Sequence, residues 1–116
     1  MIRRIVYNIY KVLKHIYWRE VYKGYRKRFN IHPTVLFNGE CIIIHSDSNN
    51  KNSIIIDEGS VLSYGTHIIA TDNFYIKIGK QCHIDTYKKI RTWDMDKRKK
   101  TESVKDIIIP DNTFIS

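Results

Sequence analysis

Large aliphatic side chains return every six residues in this sequence, at Ile56, Leu62 and Ile68 and again at Ile78, Ile84 and Ile90. A small residue stands four places after three of them, at Ser60, Thr66 and Cys82. A period of six fits neither the 3.6-residue helix nor the two-residue alternation of a half-buried strand. It fits short parallel strands joined by tight corners, with the aliphatic filling the interior and the small residue at the corner. No single coil buries its own face, so stacking makes the core. The expectation is an all-β solenoid, a parallel β-helix. An ordinary β-sandwich is the competing reading, but Asn-Gly, the strongest hairpin signal, occurs once, at Asn38-Gly39.

The spacing extends backwards through Ile31, Phe37 and Ile43, with Val35 and Cys41 at the small positions. It is interrupted by the polar run His45–Ser53, which must leave the stack because burying it would strand many polar groups. A four-residue excess between Ile68 and Ile78, around Asp72-Asn73-Phe74, marks a shorter bulge. The charged stretch 93–106 is expected to project as a loop from one edge, where function tends to sit. Ile107-Ile108-Ile109 resumes the pattern, and the sequence stops at Ser116, one residue into a new hexad. A repeat stack needs its edges protected, so the expectation is an incomplete body, or one completed by another chain.

Cys41 and Cys82 are too few for a disulfide framework and both occupy small hexad positions. They read as reduced packing residues, as in a cytosol.

The net charge of +8 is lopsided. Residues 1–28 hold nine Lys and Arg against Glu20 alone, which leaves the rest of the chain formally neutral. Within that segment Ile2, Ile5, Val6, Ile9, Leu13, Ile16 and Tyr17 follow amphipathic helical spacing. The clean stripe ends near 17–19, and Gly24 predicts a break before Tyr25-Arg26-Lys27-Arg28. No apolar stretch is long enough to span a membrane, and Lys11 and Lys14 spoil a signal peptide. The helix could pack on the open end of the body or on a neighbouring subunit. It could instead lie on an anionic membrane surface through residues 1–22. Nucleic-acid binding through Lys23–Phe29 is the weakest reading, with no recognised module around it.

The motifs Phe29-Asn-Ile-His-Pro-Thr, Phe37-Asn-Gly, Ile56-Asp-Glu-Gly-Ser, Ile78-Gly-Lys-Gln-Cys, Ile90-Arg-Thr and Asp106-Ile-Ile-Ile-Pro-Asp-Asn resemble those of bacterial hexapeptide-repeat acyltransferases. The likeness is to sugar and surface-polysaccharide O-acetyltransferases, over roughly residues 25–116. It implies a left-handed parallel β-helix at 29–116, assembled as a homotrimer. The helical segment 1–28 precedes it, and the expected location is the cytoplasm, with that segment a candidate for peripheral contact at the inner face of the membrane. The resemblance also implies acetyl-CoA as acyl donor and a sugar or polysaccharide acceptor; no metal is expected, since His45 and His67 show no metal-ligand spacing with the cysteines. In such enzymes a loop histidine takes the proton of the acceptor hydroxyl as it attacks the thioester. An imidazole does this best because it titrates near neutrality.

Here the pattern departs. Trp93-Asp94-Met95-Asp96 follows Ile90-Arg-Thr92, and no histidine occurs after His83. The base is expected near Met95 and Asp96, yet an exposed carboxylate there would be a weak base. Asp72, and Asp94 beside it in kind, are the candidate acceptor contacts. His83 and His67 take the outward hexad position, facing solvent or, for His83, a subunit interface. His32 reads as a packing or capping residue. The second expectation is a catalytically inactive scaffold of the same architecture.

Overall fold

A computed structural model of the protein describes residues 2–96 and 101–116, with 93–96 and 101–104 described by their backbone. The chain begins with one long helix, α1 (Ile2–Arg28). Three strands follow, β1 (Asn30–Ile31), β2 (Leu36–Asn38) and β3 (Ile42–His45). The next three are β4 (Ile54–Ile56), β5 (Val61–Ser63) and β6 (His67–Ala70). Then come β7 (Ile76–Ile78), β8 (His83–Ile84) and β9 (Lys89–Arg91). A pair, β10 (Trp93–Asp96) and β11 (Thr101–Val104), precedes β12 (Ile107–Ile109) and β13 (Phe114–Ile115).

The strands sort into three parallel sheets that the chain visits in rotation. Their orders are β1-β4-β7-β12, β13-β8-β5-β2 and β3-β6-β9. Parallel pairing throughout these sheets excludes the β-sandwich reading. Register explains the six-residue period. Ile31, Ile56, Ile78 and Ile109 align as one column. Phe37, Leu62, Ile84 and Ile115 form the second, and Ile43, Ile68 and Ile90 the third. Each sheet supplies one apolar column, and most of these side chains are buried. Protein interiors pack at crystal-like density, so each column is sensitive to the loss of a methylene.

The small positions are equally regular. Val35, Cys41, Ser60, Thr66 and Cys82 are buried. Ser60 Oγ donates to Gly79 O at 2.7 Å and accepts from Cys82 N at 3.1 Å, tying one corner to the next. Burial pushes the Cys41 thiol up to about 11, which keeps it protonated and inert near neutrality.

α1 runs unbroken to Arg28, the end of the expected helical segment 1–28, correcting only the expected break at Gly24. A glycine in a helix interior costs about 1 kcal/mol, and contacts with the body outweigh it. Tyr22 stacks on Phe37 with ring centroids 4.5 Å apart. The hydroxyls of Tyr22 and Tyr25 donate to the Gly39 and Cys41 carbonyls. Arg26 donates to His32 O at 2.9 Å and Val35 O at 2.8 Å, and Arg28 to Ser48 O at 2.8 Å. These acceptors belong to the first passage of the chain through the sheets, which has no earlier strand beside it. The last turns of α1 thus cover an open edge.

Candidate functional site

The three interruptions of the six-residue period fall at one corner. The run after β3, the bulge after β6 and the segment after β9 all connect the third sheet back to the first. Stacked strands therefore bring the insertions together as neighbouring layers along one edge, and hydrogen bonds join them.

His45 anchors the first layer. The polar run was expected to leave the stack from His45 onward. Instead His45 is the last residue of β3, aligned with Ala70 and only 4% exposed. Its Nδ1 accepts the backbone N–H groups of Asp47 and Ser48 at 3.2 and 3.0 Å. That leaves the proton on Nε2, which donates to Phe74 O in the second layer at 2.9 Å. A histidine ending an apolar strand can satisfy both ring nitrogens with backbone and stay neutral, which is why its burial costs little. Hydropathy alone hid this, because the pattern reads histidine as polar.

The second layer is the turn holding Asp72, whose φ is 52°. Its N–H donates to Asp47 Oδ2 at 2.7 Å. That hydrogen bond, helped by Ser46 Oγ at 2.8 Å, holds the Asp47 carboxyl below its usual range. The third layer starts at Thr92, whose Oγ1 accepts from Thr71 N at 3.0 Å. Lys105 N donates to Thr92 O at 3.0 Å, closing the base of the insertion. Asp106 Oδ1 accepts from Tyr75 N at 2.9 Å, locking that base to the second layer.

The segment expected as a projecting loop is a hairpin for most of its length. β10 and β11 pair antiparallel, with Trp93 opposite Val104 and Asp96 opposite Thr101. Asp94, Met95 and Asp96 lie on β10, and their side chains fall outside the described residues. The sequence offered no Asn-Gly turn here, so the strand pairing was not legible.

Between the first two layers lies an open cleft of about 270 Å³, lined by His45, Asn50, Asn52, Asn73 and Tyr75 among others. Its walls are amides, hydroxyls and aromatic edges. Such groups both donate and accept, as a hydroxyl-rich ligand requires. Asp72 is beside this cleft in the chain and exposed.

The remaining histidines are elsewhere. His83 is half-buried on β8 and stacks on Phe114 with centroids 5.0 Å apart. His67 is half-buried on β6, in a cleft of about 240 Å³ with Trp18, Glu40 and Tyr87. His32 Nδ1 bonds Thr34 Oγ1 at 2.8 Å, a turn-capping role. Among the described residues no group of three His, Cys, Asp or Glu side chains could hold a metal ion. Nor is any described helix long and apolar enough to cross a membrane.

No family model matches the chain, and no curated protein or solved structure matches it.

Proposed function

We propose that the chain is the repeat body of a hexapeptide-type acyltransferase, a left-handed parallel β-helix that works as a homotrimer. In this reading it moves an acetyl group from acetyl-CoA to a hydroxyl of a sugar or surface polysaccharide, in the cytoplasm. The observation that carries it is the stacking of all three insertions, hairpin included, on one corner of a three-sheet parallel body. A rigid scaffold then presents a polar edge on which an acceptor can be held.

The amides and hydroxyls of that edge fit the acceptor. Asn50, Asn52 and Asn73 can exchange hydrogen bonds with vicinal hydroxyls, and Asp72 can accept one more. They do not fit the phosphates of the donor, because the cleft is lined by neutral groups. The transfer itself balances simply: the acceptor oxygen bonds to the acetyl carbon as the carbon–sulfur bond breaks, and the sulfur leaves with the acceptor's proton. That proton needs a base. His45 is not one, since both ring nitrogens are already engaged.

The missing base favours a second reading, an inactive scaffold of the same descent. The two separate in one experiment. Purified chain, sized by sedimentation equilibrium, is incubated with acetyl-CoA and sugar acceptors while free thiol is followed. The enzyme reading expects a trimer with acceptor-dependent thiol release. A trimer that releases none supports the scaffold, and activity appearing on Asp96→His would confirm that only the base was lacking.

A further inference from the structure

Residues 2–17 of α1 present an apolar stripe that nothing among the described residues covers. Ile2, Ile5, Ile9, Leu13 and Ile16 are 78, 54, 53, 60 and 40% exposed. The helix is held to the body from its other side. Lys14 pairs with Glu40 at 2.8 Å, and Trp18, Tyr22 and Tyr25 continue that line towards Phe37. Trp18 follows Ile9 by about two and a half helical turns, which places the two on opposite sides. The stripe therefore faces away from the protein.

Further along, the same outward side carries the Glu20–Lys23 ion pair and Lys27, a net positive charge. Lys23 and Lys27 are exposed and follow Ile16 and Ile9 at whole-turn spacing. Tyr10 and Tyr17 border the stripe. We propose that this face docks on an anionic lipid bilayer, with the aliphatics of residues 2–16 among the acyl-chain ends. Lys23 and Lys27 then meet the headgroups, and the parallel sheets stand off from the surface. This site is independent of the acyltransfer reading.

Charge decides the occupant. Aliphatics gain by leaving water and basic residues gain near anionic headgroups, so one surface satisfies both. A second copy of the helix would cover the aliphatics but bring like charges together. The helix has one carboxylate to offset them, Glu20, already paired with Lys23 at 3.3 Å. A nucleic acid would neutralise the cations and leave the stripe in water.

The test is co-sedimentation of the full chain with vesicles of phosphatidylcholine alone or mixed equally with phosphatidylglycerol. Binding is expected to the mixed vesicles and to weaken with salt. The double variant Ile9→Glu with Leu13→Glu, which touches nothing in the body, should partition about a hundredfold less. Lys23→Gln and Lys27→Gln should each cost about fivefold. Equal binding by the double-Glu variant, with an unfolding midpoint like the native one, overturns the proposal. So does a native chain that ignores anionic vesicles. A native oligomer that the glutamates split, without vesicle binding, assigns the stripe to a second copy instead. Tighter binding to duplex DNA than to vesicles, unmoved by the glutamates, assigns the cations to nucleic acid.

Discussion

The helix and the sheets treat the same kind of residue in opposite ways. In the sheets, Ile56, Leu62, Ile68, Ile78 and Ile84, each aligned with a neighbour in the next strand, are almost wholly buried. In the first two-thirds of α1, isoleucines at equally regular spacing stand in water. The difference teaches where each pattern finds its partner. The six-residue period is satisfied inside the chain, because each strand has its copy directly above it. The helical period has no copy among the described residues, and its apolar face stays in water.

Truncation measures this contrast most directly. Leu62→Ala removes a fully buried side chain held between Phe37 and Ile84, and should cost about 2–5 kcal/mol in denaturant unfolding. Leu13→Ala removes an exposed one and should stay within about 0.5 kcal/mol. A large loss for Leu13→Ala in dilute solution would show that the stripe is covered after all.

Alanine in place of glycine sharpens the comparison by changing sign between the regions. Gly65 has φ +78°, and an added Cβ would lie 2.5 Å from the Tyr87 ring. Gly65→Ala should destabilise by about 1–3 kcal/mol. Gly24 meets nothing within 4 Å inside the helix, so Gly24→Ala should stabilise α1 by about 1 kcal/mol. Thermal melts of the two variants would run in opposite directions.

The joint between helix and sheets is smaller in scale and depends on pH. Desolvation, with nearby Cys41 and Glu40, pushes the Tyr22 phenol from 10.0 up to about 12. The folded state thus favours the neutral hydroxyl that donates to Gly39 O. A raised pKa contributes stability that is complete below the unfolded value and fades as pH rises through the folded one. Stability should fall between pH 10 and about 12, as unfolded Tyr22 ionises first. Tyr22→Phe should lose about 1 kcal/mol at neutral pH and soften that alkaline decline. An unchanged decline would place its origin in other tyrosines.

How much of this was readable from sequence follows from where the information lay. Ile56, Leu62, Ile68, Ile78, Ile84 and Ile90 announced the stack because identical demands recur at a fixed spacing. The buried cysteines followed from the same count. Gly24 misled because helix propensity is local, whereas Tyr22, Tyr25, Arg26 and Arg28 hold the helix through residues at least six positions away. His45 was misplaced because composition cannot show that two backbone N–H groups and one carbonyl await its ring. The shared corner of the three insertions was implicit in their spacing but emerges only when register is known. Of the candidate contacts, Asp72 lies at that corner, His83 lies on β8 away from it, and Asp94, Met95 and Asp96 share a strand of the hairpin rising from it.

The finest test concerns the bond between two layers of that corner. Asp47 accepts from Asp72 N–H and Ser46 Oγ, and these bonds depress its pKa from 3.8. A depressed carboxyl contributes stability present above its unfolded pKa and lost as pH falls through the folded value. The native chain should therefore lose a small increment below pH 3.8 that Asp47→Asn lacks, since an amide accepts without titrating. Comparing urea midpoints of the two proteins from about pH 5 to about pH 3 cancels the carboxylates they share. Near pH 5 the variant should be slightly the weaker, because a neutral acceptor bonds the Asp72 N–H less strongly. Parallel curves at every pH would mean that Asp47 does not hold the turn, and that the first two layers are joined chiefly through His45 and the Phe74 carbonyl.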